Sequence, residues 1–262
     1  MKQNSSVKTR RLLSVSVLLV LIALASVTLA TTAWMTIADR TRVRSMRMEI
    51  TTGANLRFDL DPHETIEEYV KTLLFPDIAA RILQEKGFDP LETPLTPVTT
   101  RDCVTFTLQD GKLAKTKYYL EFTLHFMATQ DMIVHLTSAD GEDGSGGTRI
   151  TSTVPELPDA MRISFTADGQ TSVYDPGLGD TTSRAAGYRS FGLPSGDQMT
   201  CHDGNALFSL QKDTDKLVTV RIWLEGTDKA CTDKLRRADY RIWLRFVGTD
   251  ENGTLLTEPT AR

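Results

Sequence analysis

Leu120–Leu136 reads LEFTLHFMATQDMIVHL. Leu120, Phe122, Leu124 and Phe126 alternate with Glu121, Thr123 and His125. After a short polar break, Met132, Val134 and Leu136 alternate again. A side-chain period of two marks a strand with one buried face. The break is short enough for the second run to return antiparallel beside the first.

The same pattern continues in both directions. Met46, Met48 and Ile50 alternate with Arg47 and Glu49. Past a Thr-Thr-Gly turn, Leu56, Phe58 and Leu60 alternate with Arg57 and Asp59, so the two runs read as a hairpin. Val104, Phe106 and Leu108 give a further run, as do Met161, Ile163 and Phe165. Val218, Val220, Ile222 and Leu224 follow, then Tyr240, Ile242, Leu244 and Phe246. Half-apolar strands repeated this often predict a mainly β domain of two antiparallel sheets packed face to face. One stretch departs from the pattern. Between Thr65 and Gly87 the apolar residues Ile66, Val70, Leu73, Leu74, Ile78, Ile82 and Leu83 approach helical spacing. This predicts a helical insert over about 63–87, split by Pro76 and ended by Gly87. Residues 139–147 (ADGEDGSGG) and about 176–205 read as loops, the second long and polar.

At 262 residues, 40% hydrophobic and 24% charged, the chain is a globular protein rather than a disordered one. The formal net charge is −4. Lys2, Lys8, Arg10 and Arg11 precede residue 30 and no acid does, so the remainder is more acidic than the whole. Such a balance disfavours a phosphate backbone, and nucleic acid is not expected as a partner. Cys103, Cys201 and Cys231 are too few and too dispersed for a disulfide framework. Either one pair closes a disulfide outside the cell, or all three stay reduced and partly buried.

The N-terminus carries the most specific signal. A basic flank from Lys2 to Arg11 precedes Leu12–Ala30, which has no charge. Basic flank, apolar core and small residues together describe a secretory signal. Small residues at the −3 and −1 positions make Ala30 and Ala33 the cleavage candidates. The charge-free run continues to Ala38 and is also long enough for an uncleaved membrane anchor. In both readings the N-terminus stays in the cytoplasm and the chain from Asp39 onward is extracytoplasmic. Residues 1–33 are thus a signal peptide or anchor, a hydrophobic helix in either case, and 34–262 the exported domain.

Candidate chemistry is sparse. His63-Glu64 with Glu67 begins like a zincin helix but lacks its second histidine, and reads better as first-turn acids after Asp61-Pro62. His125 and His135 lie on the polar sides of two runs that read as adjacent strands, near enough to share a metal. Asp140, Glu142, Asp143 and Ser145 lack calcium-loop spacing and read as a solvated loop. Nucleophile motifs, a P-loop and GxGxxG are absent from the sequence. No catalytic residue, metal or cofactor is expected. The one pattern suited to contact is an interaction patch of Trp223 and Trp243 with Arg221, Arg241 and Arg245, each tryptophan on the polar side of its strand. Exposed tryptophan calls for a cover, supplied either by the same chain or by a partner.

After the apolar core, Thr31, Thr32, Ala33 and Trp34, with Met35 in an aromatic position and Asp39 beyond, resemble the signal region of Gram-positive proteins processed by the SipW-type signal peptidase. VRIWLEGTDKACT (Val220–Thr232) and PDAMRISF (Pro158–Phe165) are similar to stretches of clostridial surface proteins with that signal. The resemblance covers about a third of the chain and points to the TasA/camelysin-like biofilm-matrix group. It implies a jelly-roll β-sandwich at the cell surface or in the matrix, with other surface proteins or further copies of itself as partners. Departures are the missing glycine run before Thr31, the helical insert and the three cysteines. The metallopeptidase activity attributed to camelysin has no motif here to carry it. Beside the structural role stands a second expectation, a binding module for carbohydrate or a cell-wall component. A metal-dependent hydrolase comes third.

Overall fold

The computed structural model describes residues 16–20, 42–50, 56–139, 146–179, 181–184, 187–195, 201–235 and 238–256. Residues 16–20 are helical. The rest of the hydrophobic N-terminal segment, Ala30, Ala33, the segment Trp34–Thr41 and the loop acids Asp140, Glu142 and Asp143 lie outside the described residues. Among the described residues no helix is long and apolar enough to cross a membrane.

The protein is mainly β, with two large mixed sheets and few helices. The strands are β1 (Arg42–Ile50), β2 (Leu56–Asp59), β3 (Thr72–Leu74), β4 (Thr99–Thr100) and β5 (Phe106–Thr107). Then come β6 (Leu120–Ala128), β7 (Met132–Leu136), β8 (Arg149–Ser152), β9 (Met161–Ala167) and β10 (Gln170–Tyr174). The last five are β11 (Thr182–Ser183), β12 (Arg189–Phe191), β13 (Ala206–Leu210), β14 (Lys216–Leu224) and β15 (Asp239–Thr249). A six-stranded sheet runs β13-β7-β15-β1-β3, with β8 also paired to β15. A seven-stranded sheet runs β11-β12-β10-β9-β14-β6-β2, and β4 and β5 form a separate pair.

The expected alternation is what builds the core. Met46, Met48 and Ile50 of β1, Val134 and Leu136 of β7, and Tyr240, Ile242, Leu244 and Phe246 of β15 are buried in one cluster. Phe58, the alternating residues Leu120, Phe122, Leu124 and Phe126 of β6, Met161, Ile163 and Phe165 of β9, and Val218, Val220, Ile222 and Leu224 of β14 belong to the same cluster. Phe246 meets Phe126 at 5.4 Å, Phe58 at 5.8 Å and Phe165 at 5.8 Å between ring centroids, so rings from both sheets interlock.

Three pairings differ from the expectation. β1 and β2 are not a hairpin: β1 joins β15 and β3, while β2 joins β6 in the other sheet. β6 and β7 likewise lie in different sheets, β6 against β2 and β14, and β7 against β13 and β15. The physical reason is shared by both cases. A chain that crosses from one sheet to the other keeps its apolar side on the common core, so a crossing has the same alternation as a hairpin. Nor are the sheets wholly antiparallel, because β1 runs parallel to β15 and β10 parallel to β12.

The helical insert is real but arranged differently. Ile66–Glu68 forms a single 3-10 turn after Thr65, whose hydroxyl and backbone N–H both meet the Glu68 carboxylate. Thr72–Leu74 is strand β3, at the edge of the six-stranded sheet. Pro76 does not split a helix but sits in the first turn of Phe75–Lys86, where its missing N–H has no cost. Gly87 ends that helix at φ 74°, its N–H donating to the Leu83 carbonyl at 3.0 Å. Phe75, Ile78, Ala79 and Ile82 are buried in the common core. The stretch 176–205, expected as loop, contributes β11 and β12 to the seven-stranded sheet.

Candidate functional site

The five residues of the expected patch separate. Trp223 is on β14, in the seven-stranded sheet, and is fully buried. Its own chain covers it with Val98, Cys103, Phe106, Tyr119 and Val173, the Phe106 ring lying 5.4 Å away edge-on. The indole Nε1 donates to Glu225 Oε2 at 3.0 Å, which satisfies the one polar group buried with it. Arg221 points from the same strand to Glu121, Nε to Oε2 at 2.6 Å, and Glu121 also holds Lys86 at 2.7 Å. These two carboxylate-held cations lower the Glu121 pKa against the opposing effect of burial.

Trp243, Arg241 and Arg245 stay together on the outward side of β15, in the middle of the six-stranded sheet. The register then supplies neighbours that the sequence did not show. Arg47 of β1 and Arg149 of β8 stand directly beside Trp243, one on each side. The Arg149 guanidinium lies 4.5 Å from the indole centroid. In the row before, Ser45 and Thr151 flank Arg241; in the row after, Glu49 stands beside Arg245. Glu49 is ion-paired with Arg47 at 3.1 Å and accepts from Arg245 at 3.3 Å, and Arg245 also donates to the Gly146 carbonyl at 3.0 Å. Arg245 is thereby almost buried, at 3% exposure, whereas Arg241 is exposed.

At the β1 bulge, Arg44 adds another guanidinium, 60% exposed and 2.9 Å from Asp239. Among the described residues, Arg44, Arg47, Arg149, Arg241 and Arg245 share this face with the carboxylates of Glu49 and Asp239. Arg44, Ser45, Thr151, Ser152, Thr153 and Arg241 line an open cleft of about 610 Å³ with Asp239 in its wall. Ser152 Oγ donates to the Asp239 carbonyl at 3.0 Å, and Asp239 N–H donates to Thr153 Oγ1 at 3.3 Å, so this wall is tied to the sheet.

A larger cleft, about 890 Å³, lies on the seven-stranded sheet near Trp223. Most of its charged groups are engaged, with exposed Arg101 at its rim as the exception among the described residues. Arg162 bridges Asp175 at 3.0 Å and Asp228 at 2.6 Å, and Glu225 accepts from Trp223, from Thr227 N–H at 3.1 Å and from Thr227 Oγ1 at 2.6 Å. The smaller cleft instead brings two arginines together, Arg44 and Arg241, and the Arg241 side chain has no hydrogen bond or ion pair among the described residues.

The histidines do not meet. His125 is in the seven-stranded sheet, its Nδ1 2.8 Å from Asp215 Oδ2, while Tyr69 donates to Asp215 Oδ1 at 2.8 Å. His135 is in the six-stranded sheet, buried, with Asn205 Oδ1 at 2.9 Å and Thr249 Oγ1 at 3.0 Å. Their expected proximity fails because β6 and β7 are not neighbours. His63 lies against Tyr69, ring centroids 4.9 Å apart, and 3.5 Å from Asp59. Among the described residues no three His, Cys, Asp or Glu side chains are arranged to hold a metal. The three cysteines are free thiols. Burial pushes Cys103 and Cys231 up to about 12 and Cys201 up to about 11.

Family models, curated proteins and solved structures give no match to this chain.

Proposed function

We propose that this is an exported cell-surface or extracellular-matrix protein that works through contact rather than catalysis. Its hydrophobic N-terminal helix directs it to the membrane, where it is cleaved at Ala30 or Ala33 or retained as an anchor. Its two-sheet domain is read as a jelly-roll-like sandwich. Two mixed sheets on one core, with strands that cross between sheets instead of pairing in sequence, support that arrangement. The resemblance of the signal region supports the location.

One observation carries the contact reading. The β1–β15–β8 register puts Trp243 between Arg47 and Arg149, with Arg241 and Arg245 on the same outward side. An indole left outward among guanidiniums is suited to a partner surface rather than to a fold's own core. Whether the partner is a wall polymer or another matrix protein, this face is where it docks. Trp243→Ala and Arg241→Ala are expected to leave the circular dichroism spectrum unchanged and to reduce retention of the exported protein on isolated cell envelopes. Retention equal to that of the parent would remove this face from the function.

A further inference from the structure

The cleft at the Arg241 end of this face has a chemistry of its own. Two guanidiniums, Arg44 and Arg241, share it with one carboxylate, Asp239. Asp239 holds Arg44 through Nε at 2.9 Å. Among the described lining residues the balance is one unmatched positive charge, which fits a singly charged oxyanion better than a dianionic one. Around Arg241 the flanking side chains are hydroxyls, Ser45 on β1 and Thr151 on β8. Hydroxyls donate and accept, so they suit a ligand that is itself hydroxylated. Trp243 is two residues along β15 from Arg241, on the same side of the strand. Two residues of strand span about 7 Å, a distance comparable to one sugar ring. The anionic subsite is therefore followed, along the strand direction, by the partly exposed indole of Trp243, one face of which carries the Arg149 guanidinium and the rest of which is suited to the C–H side of a sugar.

We propose, resting on the contact reading above, that the Arg44–Arg241 cleft binds the carboxylate of an acidic polysaccharide, with Trp243 against the neighbouring sugar. Other anionic partners fit less well. Single-stranded nucleic acid is held by successive aromatic platforms along a cationic groove, and among the described residues this face has one aromatic, on an acidic chain. A free phosphate monoester brings a second charge that Asp239 opposes.

The full-length protein in mild detergent, titrated with an oligogalacturonate, tests this. The expected result is saturable binding with a tryptophan fluorescence change. Methyl esterification of the oligogalacturonate should abolish it. Arg241→Ala and Arg44→Ala should each weaken it at least tenfold, the loss typical of a charged hydrogen bond. Lys212→Ala, an exposed lysine outside the cleft, should not weaken it. Equal binding of the methyl ester, binding only of a phosphodiester-linked glycopolymer, or undiminished affinity in both arginine variants would each overturn the proposal. Envelope retention separates the two levels. If Trp243→Ala still lowers retention while oligogalacturonate does not bind, the acidic sugar is wrong and the contact face stands. If retention is also unaffected, both are wrong.

Discussion

Tyr240 is wholly buried, and its hydroxyl has no hydrogen-bond partner among the described residues. Burial pushes the phenol well above its ordinary value of 10, because the phenolate cannot be solvated there. An unpaired buried hydroxyl costs about 1–3 kcal/mol. Tyr240→Phe keeps the ring and removes that cost, so the urea midpoint should rise, by an amount equivalent to about 1 kcal/mol. His135 is the opposite case, a buried polar group fully engaged by Asn205 and Thr249. Burial is the main cause that lowers its pKa from the ordinary 6.5, with Arg189 and His202 adding to the effect. The unfolded chain therefore takes up the proton first as pH falls. Stability is complete above 6.5 and declines on the acid side, until the depressed folded value is reached. His135→Gln should flatten that decline in a series of denaturant melts, and an unchanged slope would exclude His135 as its source. Residue chemistry was only half legible in sequence. Trp223 and Trp243 read alike, each outward on an alternating strand. What separates them is the cover over Trp223, built mainly from residues 98–119, where the run expected at Val104, Phe106 and Leu108 shrinks to the two-residue strand β5 with Val104 exposed, and two-residue β4 leaves no periodic signal.

At the scale of elements, alternation located most of the core strands but could not pair them. Leu120–Ala128 and Met132–Leu136 are strands as read, yet they belong to opposite sheets. The contact face depends on that missing knowledge. Arg47 and Arg149 reach Trp243 only because β1 and β8 flank β15, and neither neighbour is close in sequence. One true hairpin did leave a signal. β9 and β10 are joined through Asp168 at φ 50° and Gly169 at φ 74°. Asp-Gly with positive φ at both positions is the two-residue turn that matches strand twist. The hairpin's second strand carries little signal of its own, because Gln170–Tyr174 alternates poorly, with polar residues at Gln170, Thr171 and Ser172. Gly169→Ala places a Cβ in the left-handed region, which costs roughly 1–2 kcal/mol. Nothing lies within 4 Å of that Cβ, so the cost is conformational rather than steric. Thermal melts should report the loss, and Gly169→Asn should recover part of it, since asparagine tolerates that conformation better.

The whole molecule limits how copies of it can join. Sheet edges are the usual route to assembly, and several of the described ones are short or covered. β11 has two residues and β3 has three. At the β13 end, the Ala206 carbonyl already accepts from Arg189 and from Ser172, so part of that edge is closed by the other sheet. β1 is paired with β15 along most of its length but with β3 only over Arg47–Glu49, so from Arg42 to Met46 it has no β3 partner on that side. The segment that precedes it, Trp34–Thr41, carries the apolar residues Trp34, Met35 and Ile37. In the proposed exported form, cleavage after Ala30 or Ala33 frees this segment, and strand addition to another copy is the assembly it suits. The β1–β15 ladder, from Arg42↔Asp239 to Ile50↔Phe246, begins after it. Deleting Thr31–Thr41 from the exported form should therefore leave the circular dichroism spectrum and thermal midpoint as they were. The same deletion should abolish oligomers measured by sedimentation at high concentration. A truncated protein that assembles as before would place the contact elsewhere, at the Arg–Trp face or an edge strand. A full-length exported form that stays monomeric at every concentration would leave this protein a binding module rather than a self-assembling one.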